Sequence, residues 1–328
     1  MKRLSCFSFV AVATVAGLAL VGLLLAWCAS TESSSALAAQ SQAGQSVQAA
    51  LVSAASEFTI CTATGSQYAP AIYGDVVVWS DGRGTDSDIY GYDLSAGQEF
   101  TICTATGYQG SPAIYGEVVV WRDYRGADSD IYGYDLSAGQ EFTVCTATGY
   151  QGSPAIYGDV VVWADSRGTD SDIYGYDLTA GQEFTICTTT GYQYAPAIYG
   201  DVVVWSDGRG ADSDIYGYDL SSGQEFTVCT ATGHQDSPAI YGDVVVWTDY
   251  GEIGPIRDAL GIDWDIHGYD LSSGQAFTVC TATGFQDDPA VYGDVVVWRD
   301  SRGTDSDIYA RQIRFRVYLP LLMRNHGP

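Results

Sequence analysis

Lysine is all but missing from this chain: Lys2 is the sole copy in 328 residues. Fourteen basic residues face 40 acidic ones, a formal net charge of −26. Such a surface repels a phosphate backbone, which excludes nucleic acid as a partner. It leaves cations, cationic partners or plain colloidal solubility, the last being the simplest account. There are only three histidines, and no C-x-x-C pair or Cys/His cluster, so a zinc or redox centre of ordinary spacing is excluded. G-x-S-x-G, H-E-x-x-H and glycine-rich phosphate loops are absent too. No catalytic residue is assigned. Beyond the N-terminus leucine and methionine are scarce, while Val, Ile, Tyr and Trp recur, a bias toward strands.

What is present is a repeat. Phe58 to Glu99 reads FTICTATGSQYAPAIYGDVVVWSDGRGTDSDIYGYDLSAGQE, and the next unit, Phe100 to Glu141, differs from it at 7 of 42 positions. A period of this length marks a repeat architecture. Each unit splits into four short apolar runs separated by turn residues, as antiparallel strands require. In the first set these are PAIY (Pro70–Tyr73), VVVW (Val76–Trp79), DIYGYDL (Asp88–Leu94) and EFTIC (Glu99–Cys103), strands A to D. The VVVW run lacks alternation, so both of its faces are expected to be buried.

Four strands in about 40–45 residues make the blade of a β-propeller. VVVW occurs six times, ending at Trp79, Trp121, Trp163, Trp205, Trp247 and Trp298. The first D strand, Glu57–Cys61, precedes any A strand, and the last unit, Pro289 to Ile313, stops after strand C. The expectation is an all-β, six-bladed propeller over 57–313, with four-stranded antiparallel blades. The N-terminal strand would complete the last blade and remove an exposed edge.

The flanks differ in character. Met1-Lys2-Arg3 followed by the apolar run Phe7–Trp27 reads as an export signal, so 1–29 is a signal peptide or membrane anchor. Ala36-Leu37-Ala38 offers a cleavage site, and 30–56 is a Ser/Ala/Gln-rich spacer. The expected location is extracellular or at the cell surface, with an N-terminal membrane tether as the alternative to release. A basic, apolar tail fills 314–328; it resembles short YLPL-type endings of some exported bacterial proteins. Of the eight cysteines, Cys61, Cys103, Cys145, Cys187, Cys229 and Cys280 take one equivalent position per repeat. Radially arranged blades hold such sites beyond the ~7 Å Cα limit for a disulfide, so they are read as small packing residues.

The string WSDGRGTDSDIYGYDLSAGQEFTICT resembles the blade motif of TolB-like propellers, where a Ser-Asp-Arg turn precedes an Asp-Ile-Tyr strand. PAIYG, VVW and DIYGYDL are also similar to propeller repeats of archaeal and bacterial surface proteins. The resemblance spans 57–313. It implies a β-propeller at the cell envelope or surface, often with a binding role, and no shared catalytic set.

Candidate site residues come from the repeats themselves. The B–C loop places Asp81, Asp86 and Asp88 around Arg83. Closely spaced carboxylates suit calcium, but the spacing is not that of a D-x-D-x-D-G loop, and an arginine opposes a divalent ion. Pinning of the loop is the favoured reading and calcium the alternative. The D–A loops carry Gln67, Gln109, Gln151, Gln193, Gln235 and Gln286, flanked by Tyr108, Tyr150, Tyr192, His234 and Phe285. An amide and aromatic rim at the channel mouth would suit a glycan or peptide. Internal capping by Gln is the competing structural account. Blade 5 holds an insertion within Tyr250–Trp264. The expected function is a monomeric binding scaffold for protein or glycan at the envelope, without a cofactor. The alternative is an extracellular hydrolase or lyase using Glu252, Asp258 and Asp263 of the insertion.

Overall fold

A computed structural model describes residues 58–251, 263–303 and 305–313. The signal or anchor, the spacer, the tail, Glu57 and most of the blade 5 insertion, with Glu252 and Asp258, lie outside the described residues. Among the described residues, no helix is long and apolar enough to cross a membrane.

Blade 1 consists of β1 (Gln67–Tyr73), β2 (Val76–Asp81), β3 (Asp88–Asp93) and β4 (Gln98–Cys103), paired antiparallel in that order. Blades 2 to 5 repeat it over 109–145 (β5–β8), 151–187 (β9–β12), 193–229 (β13–β16) and 235–280 (β17–β20). Blade 6 has three strands, β21 (Gln286–Tyr292), β22 (Val295–Asp300) and β23 (Asp307–Gln312). The fold is thus an all-β, six-bladed propeller. Strand A begins three residues earlier than the apolar run suggests, because a bulge interrupts its pairing between Tyr68 and Ala71 and at the same place in every blade. At the bulge the residue before proline is left-handed: Ala69, Ser111, Ser153, Ala195, Ser237 and Asp288 have φ of 49–53°. Proline is tolerated there because the ladder is already broken.

The core lies between blades. Val119 and Trp121 of blade 2 pack against Val78, Ile89, Ile102 and Cys103 of blade 1. From the opposite face, Val120 and Ile131 meet Val161 and Trp163 of blade 3. Both faces of VVVW are therefore buried, as its unbroken apolarity implies. Cys103, Cys145 and Cys187 are thiols buried within these clusters, and Cys229 and Cys280 pack beside the corresponding ones. Burial pushes the Cys103 and Cys145 thiols up to about 12, which keeps them protonated and inert.

The blade 6–blade 1 seam differs. Ile308 of β23 is 43% exposed, whereas its equivalents Ile89, Ile131, Ile173, Ile215 and Ile266 are at 0%. Phe58–Cys61, expected to complete blade 6, form no strand. Strand C of blade 6 also differs at one contact position. In blades 1 to 5 the phenyl ring of strand D lies on a glycine of strand C; a Cβ on Gly91 would come within 2.4 Å of Phe100. Blade 6 has Ala310 at that position, where a phenyl ring packed as in the other blades would be overpacked.

The same contact yields a test. Gly175→Ala should overpack against Phe184, whose Cζ would sit 2.4 Å from the new methyl, and cost about 1–3 kcal/mol. Thermal unfolding should show a drop of a few degrees, partly recovered by adding Phe184→Leu.

Candidate functional site at the channel mouth

The B–C loop is held by a clamp built on one buried carboxylate. Asp81 accepts from the Trp79 indole N–H (2.8 Å), the Arg83 amide (2.9 Å) and the Arg83 guanidinium (2.7 Å). Arg83 also donates to Glu99 at 2.6 and 2.9 Å and stacks 3.9 Å above the Tyr90 ring. Blades 2 to 4 repeat the set with Asp123, Asp165 and Asp207. Blade to blade, Asp86 accepts from the Gly107 N–H (2.7 Å), and the Ser87 hydroxyl donates to the Gln109 carbonyl (2.8 Å). Asp81 and Asp86 thus serve N–H and guanidinium donors. Asp88 is buried at the start of β3, paired with Asp81 across the ladder, and burial raises its carboxyl.

The glutamines sit inside the blade. Gln109, Gln151, Gln193, Gln235 and Gln286 are at 0% exposure, and Gln67 is half-buried. The amides of Gln109, Gln151 and Gln193 reach the clamp carboxylates at 3.3–3.5 Å. Gln235 and Gln286 donate to Gly233 and Gly284 carbonyls of their own loops, at 3.0 and 2.9 Å. This is the capping geometry. The flanking aromatics are the open part of the rim: Tyr108, Tyr150, Tyr192 and Phe285 are 36–62% exposed, and His234 is half-buried.

The ladder register reveals a set of positions that reading single loops does not. Across strands A and B, Tyr68 pairs with Ser80, Gly110 with Arg122, Gly152 with Ala164, Tyr194 with Ser206, Asp236 with Thr248 and Asp287 with Arg299. One step further up, backbone bonds join Ser66 to Gly82, Tyr108 to Tyr124 and His234 to Tyr250. These four places per blade hold most of the variation. Of the seven differences between the first two units, six fall on this face or the channel wall, and only Asp75 against Glu117 lies elsewhere. Below the mouth, the bulge residues of blades 2 to 6 line a cavity of about 350 Å³.

Blade 5 loses the cationic side of the clamp but keeps its indole, Trp247, and its carboxylate, Asp249. Gly251 stands where the arginine would be, Ala276 replaces its glutamate and His267 its tyrosine. The Gly251 amide alone binds Asp249 (2.7 Å), and the buried Trp247 indole N–H has no partner among the described residues. Trp264 takes the place of the bridging serine and packs between Tyr250 (4.7 Å) and Phe285 (4.6 Å). Beside this trio, Asp287 is ion-paired to Arg299, and Asp288 faces the cavity. Asp236 accepts from Ser206 at 2.9 Å. The missing glutamate at Ala276 is a sequence signal for this change; His267 by itself reads as a packing variant.

Sequence comparison finds no matching family model and no matching curated protein. Solved structures do match in fold. TolB from Acinetobacter baumannii superposes with a TM-score of 0.54 at 18% identity over 71% of this chain, which spans 58% of that one. A putative TolB from Agrobacterium tumefaciens gives 0.54 at 16% identity, covering 78% and 93%. An oligogalacturonate lyase in complex with manganese gives 0.53 at 12%, covering 73% and 74%. The fold is that of a TolB-like β-propeller.

The clamp has a pH signature. Burial alone would raise the Asp81 carboxyl, but Arg83 and the Trp79 indole outweigh it and hold it at about 2. Arg302, aided by Trp298, does the same for Asp300 against burial. A carboxyl depressed from ~3.9 stabilises the fold above that pH and loses its contribution as pH falls toward 2. Denaturant titrations from pH 5 to 2 should show stability falling over this window. Asp300→Asn should be less stable at pH 7 and flatter across it.

Proposed function

We propose that this chain is an exported binding scaffold of the cell envelope or surface, which holds a protein or glycan ligand on its channel-mouth face. The observation that supports it most is the concentration of inter-blade differences on that face, over a core that varies little. Loops on a rigid scaffold are where recognition is commonly placed. Within the face, the blade 5–6 sector is the favoured contact. Tyr250, Trp264 and Phe285 offer flat aromatic surfaces, while Tyr192, His234 and Asp288 supply polar atoms at its border. Tyr108 and Tyr150 extend the rim through blades 2 and 3.

The enzyme alternative draws on the lyase sharing this fold and on the insertion beside the sector. Glycan-array and pull-down experiments with the secreted chain separate the readings. Retained ligand without turnover supports a scaffold; cleavage of an oligosaccharide or peptide replaces it with an enzyme. Trp264→Ala and Phe285→Ala should weaken capture at least ten-fold, whereas Tyr73→Ala, at the far end of the channel, should leave it unchanged. A ligand indifferent to all three removes this face from consideration.

Ring closure by Glu57–Cys61 is part of the same proposal, with the Phe58 ring turned away from Ala310. Deleting 57–61 should lower the melting temperature by several degrees, and Ala310→Gly should raise it. No change in either would discard the clasp.

A further inference from the structure

One arginine at the channel mouth has no acceptor. Among the described residues each clamp arginine binds its buried aspartate, Arg299 is paired with Asp287, and Arg311 donates to the Thr278 and Val279 carbonyls. Arg122, on strand B of blade 2, forms no ion pair, and its Nε is buried without a hydrogen-bond partner. Three clamp arginines also leave Nε unused, but their terminal nitrogens are bonded and those of Arg122 are not. Its guanidinium instead lies 5.8 and 5.3 Å from the Tyr108 and Tyr124 ring centroids. In a chain with 40 acidic residues against 14 basic ones, a cation that meets no carboxylate is the exception.

The other blades show what this arginine fits. Arg299 holds the same place in blade 6, and Asp287, its partner across the A–B ladder, accepts from its Nε at 2.7 Å and from Nη2. In blade 2 the residue across the ladder is Gly110. A second place for a carboxylate lies in the following blade. Asp236 of blade 5 accepts at 2.9 Å from Ser206 of blade 4, the residue equivalent to Arg122. In blade 3 that place is Gly152, where a Cβ would stand 3.2 Å from Cδ of Arg122 and 3.6 Å from Nη1. Both positions that supply a carboxylate elsewhere are therefore glycine around Arg122.

Rings and hydroxyls surround the open guanidinium. Tyr108 stacks on Tyr68 at 6.4 Å and meets Tyr124 edge-on at 5.8 Å. Its Cε1 and hydroxyl would lie 2.6 Å from a Cβ on Gly110, so the ring fills the place of the missing side chain and brings an O–H beside Arg122. Ser111 and Ser153, next in the chain to the two glycines, line the cavity below. A planar guanidinium binds a carboxylate through two parallel N–H···O bonds. Flat rings and hydroxyls match the faces and edges of a sugar. A single carboxylate also adds less repulsion than a phosphate on a surface of this charge.

We infer that Arg122 is an anion-binding residue of the mouth and takes the carboxylate of a sugar acid, with the Tyr108 hydroxyl as a further donor and the tyrosine rings against the sugar. The ligand's carboxylate does for Arg122 what Asp287 does for Arg299. The subsite lies three blades from Trp264. This inference rests on the mouth being the ligand-binding face, and it adds the chemical class of the ligand.

The test titrates the full chain with two oligosaccharide probes that differ at one group, a terminal glucuronate and its methyl ester. The acid should bind about ten-fold tighter or more, the effect of a hydrogen-bonded charge pair. Arg122→Gln should abolish this preference. Gly152→Asp should abolish it as well, with the arginine still in place, because it supplies an internal carboxylate beside Nη1. Both variants should keep the parent circular dichroism spectrum. Trp264→Ala should leave the ratio of acid to ester affinity unchanged even where it weakens both. Glycan binding that needs Trp264 and ignores Arg122 would keep the scaffold reading and discard this subsite. Equal affinity for acid and ester, no binding of the acid, or a preference that survives either variant would overturn the inference. So would Arg122-dependent capture of an aspartate-containing peptide in place of the sugar acid.

Discussion

Everything in this ring rests on the burial of one strand from both sides. VVVW sends its second valine and tryptophan into one neighbouring blade and its third valine into the other, so no blade can satisfy its core by itself. Trp121, Trp163 and Trp205 are wholly enclosed, and their indole N–H groups would be costly orphans without the carboxylate two residues on. That carboxylate, now buried, needs a cation, and the arginine two residues further supplies it. The sequence W-x-D-x-R is thus a chain of obligations, each residue satisfying the polar debt created by the one before.

Because the core and clamp absorb the repeated residues, the positions left free to differ are those that the register gathers at one end. Blade 5 shows how strongly the clamp is coupled. Its arginine, glutamate and tyrosine are replaced together, and an insertion and an aromatic trio take their place. The carboxylate and the indole stay behind: Asp249 is held by the Gly251 amide, and the Trp247 N–H is left without a partner among the described residues, which is a local cost at this blade.

The fold was legible because its signals are local and repeated. Blade number, strand order, two-sided burial of VVVW and the packing role of the cysteines can all be read from period and apolarity. The glutamines were harder to place. Their constancy suits a rim and a cap equally, and only the bulge at Ala69–Pro70 and its equivalents draws them into the strand and under the loop. Cross-strand pairs such as Asp287 with Arg299 depend on a register that a bulge shifts, so spacing alone could not find them. The sixth blade differs at one contact position. DIYARQ resembles DIYGYD closely enough for strand pairing, yet its alanine occupies the space that a phenyl ring fills elsewhere.

The seam gives the ring a mechanical polarity. Gln67, where blade 1 begins, and Ile313, where blade 6 ends, both belong to the two blades whose facing core is incomplete among the described residues. A pull through the chain's ends loads that seam first, while the four inner blades are held by neighbours on both sides. Extension would peel the ring from its outer blades inward, each step releasing one inter-blade cluster. Under tension the protein would behave as a short stack of similar springs in series, giving way one at a time.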